Sequence, residues 1–141
     1  MKISESLADH MADAIAPLSG EGILMPKTAA EIFANQDQWF PKFGPDGKLL
    51  GFFEFRTHQD TALAEMGSVL VLKPRMGVGQ CLLQIFNTQR DIQTASGGFA
   101  VTKDFKTAYG FFGEQTQGDV TTQFPDWFER EKSDRYFIQW K

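Results

Sequence analysis

Apolar side chains at Leu7, Met11, Ala14, Ile15 and Leu18 recur at three- and four-residue spacing, which predicts an amphipathic helix over residues 4–18. The stretch Ser19-Gly20-Glu21-Gly22 breaks that pattern. A short apolar run, Ile23-Leu24-Met25, stops at Pro26, and Thr28 with Glu31 three positions on forms a capping box that opens a second helix through Ile32 and Phe33. Segments 39–43 and 49–56 are aromatic and strand-prone, and the Gly44-Pro45-Asp46-Gly47 turn between them predicts a hairpin. After a polar link over 57–61, residues 64–72 are almost continuously apolar, as in a central strand. From Val78 the apolar groups fall at Cys81, Leu82, Ile85, Phe86 and Ile92, a helical face that is expected to end near Ser96-Gly97-Gly98. Phe99-Ala100-Val101 then reads as a short strand, parallel to its predecessor because a helical crossover joins them. Asp104 caps a further helix carrying Ala108, Tyr109, Phe111 and Phe112, which Gly113 is expected to loosen. In the tail, 120–141, the clearest strand is 135–140.

Composition narrows the chemistry. The chain has 141 residues, 42% hydrophobic and 23% charged, which suits one domain. A net charge of -4 and a pI near 5.1 supply no basic field for a nucleic acid, so any phosphate recognition is local. The single cysteine, Cys81, excludes an internal disulfide and a thiolate-rich metal site; its helical spacing with Ile85 gives it an apolar role. His10 and His58 are the only imidazoles and read as surface or core residues, and no metal site is expected. Acids near the N-terminus do not suit a signal peptide, and no run has membrane-spanning length, so the expectation is a cytoplasmic protein without a membrane partner.

The segment from Met66 to Leu83 carries the most specific signal. An apolar run, Pro74 as a stop, Lys73 and Arg75, then Gly77 and Gly79 opening a helix together suit an anion such as a phosphate, which meets free N–H groups and the positive end of the helix dipole. Gly-x-Gly also ends strands for geometric reasons alone. The loop is not a dinucleotide fingerprint, since Leu82 stands where a third glycine is needed, and no Gly-Lys-Ser/Thr triplet of a Walker loop occurs.

Particular phrases connect these elements to a family. Leu24-Met25-Pro26-Lys27-Thr28 followed by Glu31-Ile32, the hairpin Asp46-Gly47-Lys48-Leu49-Leu50-Gly51-Phe52, and Ala64-Glu65 with Val71 six residues beyond together resemble the GNAT N-acetyltransferase superfamily, in the branch similar to N-acetylglutamate synthase acetyltransferase domains. The resemblance covers roughly residues 14–112. It implies an α/β fold with a mixed, largely antiparallel central sheet, helices on both faces, and a parallel strand pair splayed around acetyl-CoA. Acetyl-CoA is then the co-substrate, with pantetheine along Val69, Leu70 and Val71 and the diphosphate on Lys73, Arg75, Met76, Gly77, Val78, Gly79 and Gln80; Ala108 and Phe111 complete the implied contacts.

The same resemblance implies direct attack of a small-molecule amine, an amino acid among the options, on the thioester in a ternary complex. Glu65 takes the position of the general base, with Glu54 in reserve. The family's Ala-x-x-Phe-Tyr helix appears here as Ala108-Tyr109-Gly110-Phe111-Phe112, so the usual phenol is absent and Tyr109 is its substitute as general acid, unless the thiolate leaves unassisted. The approach loop is about two residues shorter than the family's, and Pro74 stands at an expected Arg/Gln position. These departures keep open a catalytically lapsed module, a CoA sensor or a protein-interaction domain. Trp39, Phe52, Phe53, Phe55, Trp127, Phe128 and Trp140 are assigned to core and cleft walls. The acceptor's identity and the oligomeric state, a homodimer included, are not set by these residues.

Overall fold

The structure, a computed structural model, describes residues 3–58, 61–115, 120–130 and 135–141. Parts of the expected 57–61 link and of the aromatic tail, at 59–60, 116–119 and 131–134, lie outside the described residues. Helix α1 runs Glu5–Gly20 and starts where Ser4 accepts a hydrogen bond from the Leu7 N–H at 3.1 Å. It buries Ala8, Met11 and Ile15, the stripe that the spacing predicts. Helix α2, Ala29–Ala34, opens on the capping box: the Glu31 N–H donates to Thr28 Oγ1 at 3.1 Å, and the Thr28 N–H donates to Glu31 Oε1 at 3.4 Å.

Strands β1 (Trp39–Phe43) and β2 (Leu49–Thr57) pair antiparallel with Trp39 opposite Glu54, and the register slips between Lys42 and Phe43. Asp46 Oδ1 accepts from the Lys48 N–H at 3.1 Å and stiffens the turn. Then follow β3 (Leu63–Val71), α3 (Val78–Ile92), β4 (Gly97–Thr102), α4 (Phe105–Gln115), β5 (Val120–Thr121) and β6 (Tyr136–Trp140). The strand order is β1-β2-β3-β4-β6-β5. The sheet is mixed, since β3 and β4 are parallel while β1–β2, β4–β6 and β5–β6 are antiparallel.

Contacts divide the chain into two units, Met1–Phe55 with Ser68–Ile85 and Arg56–Gly67 with Phe86–Lys141. Strands β2 and β3 and helix α3 each contribute residues to both. In the first unit α1, α2 and the hairpin enclose Ile3, Ala8, Met11, Ile15, Ile32, Trp39, Leu49 and Phe52. In the second, Phe99, Phe128 and Phe137 form the centre, with Trp127 and Phe124 packed on it. Trp140 stacks on Phe112 at 4.4 Å and meets Phe86 at 5.7 Å. Pairs of this kind add about 0.5–1.5 kcal/mol each beyond the area that they bury.

Two boundaries differ from the expectation. Gly97 and Gly98 do not end a helix; α3 stops at Ile92 and both glycines lie inside β4. A Cβ on Gly98 would sit 2.6 Å from Phe86 Cε1 and 2.8 Å from Trp140 Cε2, so glycine is there to let two rings close over the strand. Gly113 does not interrupt α4, which continues to Gln115. The tail forms the expected strand as β6, whose antiparallel pairing with β4 the sequence left open, whereas the two-residue β5 was too short to leave a periodic signal.

Candidate active site

Glu65 is the centre of a cluster that lies wholly within the second unit. It is 2% exposed, in β3, and pairs with Phe99 in the three-residue parallel ladder to β4. An isolated carboxylate at such depth is costly, so partners are required. The Arg56 Nη1 donates to Glu65 Oε2 at 3.2 Å and the Arg130 Nη2 donates to the same oxygen at 2.8 Å. The other oxygen, Oε1, lies 3.0 Å from His58 Nε2. Burial pushes the carboxyl upward, and the His58 hydrogen bond with the Arg56 and Arg130 charges outweighs it, leaving Glu65 below the ordinary carboxylate range.

The surroundings hold each partner in place. Gly67 makes room for Arg56, because a Cβ there would meet the guanidinium carbon at 2.7 Å. The His58 ring packs beside Phe99 at 5.0 Å and Trp127 at 5.9 Å, two rings that also meet each other at 5.5 Å. Arg130 sits over the Phe128 ring at 4.9 Å, a cation–π contact that aims it at Glu65.

These contacts alter the expectation for Glu65. A direct general base works best with a proton affinity near the working pH, whereas three of the roughly four lone-pair sites of the Glu65 carboxylate are taken by Arg56, Arg130 and His58 and its affinity is lowered. Residues that the sequence reading assigned to packing or left aside, His58, Arg56 and Arg130, complete the site. One signal was available: Arg56 and His58 are two positions apart at the end of a strand, and period-two alternation puts them on one side. Arg130 left no such signal, being 65 residues from Glu65. The reserve candidate, Glu54, is buried in the first unit with Lys27 Nζ at 3.7 Å.

The expected anion loop lies in the first unit. Lys73, Arg75, Met76 and Gly77 are exposed, Gln80 is exposed at the start of α3, Gly79 is half-buried and Val78 is buried. Arg75 and Gly77 take left-handed φ values of 65° and 71°, which turn the chain sharply into α3. A Cβ on Gly77 would meet nothing within 4 Å, so the approach to the loop backbone is open. Two cationic side chains, a helix start and open backbone fit a diphosphate. Val69, Leu70 and Val71 are half-buried, following Ser68, whose φ of 49° interrupts the regular pleat of β3. Lys73 also borders an open depression of about 780 Å³ with His10 and Lys48. Cys81 is half-buried on α3, in keeping with a packing role.

On α4, Ala108 and Phe111 are half-buried and Tyr109 is 42% exposed. Phe112, at the position where the family resemblance expects a phenol, is buried against Trp140. Among the described residues, no group of three or more His, Cys, Asp or Glu is arranged to hold a metal, and no helix is long and apolar enough to cross a membrane.

Comparison with known proteins agrees with this architecture. N-acetylglutamate synthase from Neisseria gonorrhoeae, complexed with coenzyme A and N-acetyl-glutamate, superposes with a TM-score of 0.79 at 18% identity over 93% of this chain. The chain spans 32% of that protein's length. A GNAT-family acetyltransferase from Staphylococcus aureus matches with a TM-score of 0.72 at 13% identity, over 99% of this chain and 96% of that one. A GNAT-superfamily phosphinothricin acetyltransferase from Sinorhizobium meliloti, in complex with AcCoA, gives 0.73 at 12% identity, over 99% and 85%. No protein-family model matches the chain, and no curated protein matches it in sequence. The chain therefore has the GNAT acetyltransferase fold, similar to the acetyltransferase domain of N-acetylglutamate synthase.

Proposed function

We propose that the 141 residues work as one acetyltransferase domain that moves an acetyl group from acetyl-CoA to the amine of a small molecule by direct attack in a ternary complex. The observation that carries this reading is the open, cationic turn at 73–77 leading into α3, in a fold whose solved examples include coenzyme A and AcCoA complexes. The backbone of Val69, Leu70 and Val71 lies along pantetheine, and Lys73, Arg75 and the amides of Gly77 to Gln80 meet the diphosphate. The Glu65 cluster handles the acceptor's proton. An amino acid is one amine of this class, as N-acetyl-glutamate is the molecule bound together with coenzyme A in one solved example of the fold.

Calorimetry with acetyl-CoA, followed by a thiol-release assay over a panel of amines, tests the reading. Saturable binding and thiol release with at least one amine are expected. Absence of binding up to about 1 mM, a free energy of about -4 kcal/mol, overturns it. A second reading, a CoA-binding module without turnover, is favoured by the burial of Phe112 where the phenol is expected. Binding without thiol release on any amine selects that reading.

A further inference from the structure

Building on the acetyltransferase reading, we propose that His58 is the proton acceptor for the attacking amine and that Glu65 is the positioning residue that holds its ring and selects its tautomer. An ionised carboxylate only accepts hydrogen bonds, so the 3.0 Å contact between Glu65 Oε1 and His58 Nε2 puts the ring hydrogen on Nε2. The lone pair of the neutral ring is then on Nδ1. Among the described residues Nδ1 has no hydrogen-bond partner, and the side chain is 28% exposed. Phe99 from β4 and Trp127 from the following segment fix the plane of the ring. Among the described residues, the charged groups that face it are Glu65 from β3 and, through Glu65, Arg56 from β2 and Arg130.

This division of labour follows from what each group has left to offer. The two arginines keep Glu65 ionised by occupying Oε2, so the carboxylate stays an anchor and not an acceptor of the amine's proton. Imidazole is the side chain that most often takes up a proton as a positioned general base. An acceptor entering as an ammonium gives one proton to Nδ1. The resulting amine attacks the thioester carbonyl carbon, forming the C–N bond. Collapse of the tetrahedral species breaks the C–S bond, and the electron pair leaves with the CoA sulfur. The second nitrogen proton ends on that sulfur, and the imidazolium returns its proton to water.

Full-chain wild type, His58→Gln and Glu65→Gln are compared for acetyl-CoA affinity, for kcat as a function of pH, and for histidine tautomer by nitrogen NMR, with His10→Gln assigning the two rings. We expect His58→Gln to bind acetyl-CoA like wild type, to lose about 10²–10⁴-fold in kcat, and to lose an inflection that the wild-type profile of kcat against pH shows. Wild-type His58 is expected in the Nε2–H form, and Glu65→Gln is expected to shift that tautomer balance, a readout that loss of packing alone does not give. A His58→Gln enzyme within a few-fold of wild type, or a wild-type His58 protonated on Nδ1, overturns the proposal while leaving transfer itself intact. A wild type that neither binds acetyl-CoA nor releases thiol removes the transferase reading and this one with it.

Discussion

Replacing Glu65 by glutamine removes one charge from a carboxyl whose side chain is 3% exposed and which faces three donors. Breaking a well-buried ion pair costs about 3–5 kcal/mol because a charge is left without a partner. Here the two guanidinium groups are less deep: the side chains of Arg56 and Arg130 are 18% and 36% exposed, so water takes up part of their charge. The amide oxygen also still accepts one bond. We therefore expect a loss of about 2–3 kcal/mol near neutral pH. The pH dependence separates this cause from simple misfit. The partners hold the folded-state carboxyl below its ordinary value of 4.5, so the folded protein takes up this proton less readily than the unfolded chain. The stabilisation is complete above the unfolded value and is lost as pH falls through the folded one. Urea unfolding of both proteins at a series of pH values, with equal m-values as the check on the comparison, is the assay. The gap is expected to be widest near neutrality and to close in acid, where the wild-type side chain becomes neutral like the amide. A gap that stays constant down to about pH 3, or no gap at any pH, refutes the reasoning.

Two further substitutions test the second unit's packing. Gly98→Ala puts a methyl 2.6 Å from Phe86 and 2.8 Å from Trp140, rings that are 0% and 1% exposed, and is expected to cost about 1–3 kcal/mol in urea unfolding; stability equal to wild type contradicts the packing described. Phe112→Tyr restores the phenol at the position where the family resemblance expects one, but against the stacked Trp140 its hydroxyl is buried, so a loss of about 1–3 kcal/mol is expected. A rise in kcat without loss of stability counts against that placement.

Much of the chain was legible because its signals are local. The α1 stripe, the Thr28–Glu31 capping box, the Asp46-Gly47 turn and the strand, loop and helix around Gly77 each depend on residues within a few positions of one another, and each forms where its pattern predicts. Glu65 was also picked out, but by resemblance, and its surroundings changed its expected part. What holds it as a buried anion is His58 seven residues upstream, Arg56 nine upstream and Arg130 sixty-five downstream. The glycines at 97 and 98 were misjudged for a related reason. Locally they signal a stop, and only groups arriving from elsewhere account for them within a strand: the rings of Phe86 and Trp140 at Gly98, and the Trp140 carbonyl and Leu63 side chain at Gly97.

Periodicity, capping and turn chemistry are properties of neighbouring residues, so the sequence alone determined the main helices and longer strands, their order and the cationic turn before α3. The charge state of Glu65 and the setting of the His58 ring depend on which distant groups share one buried volume, where the low dielectric magnifies every contact. Only the tertiary structure decided those.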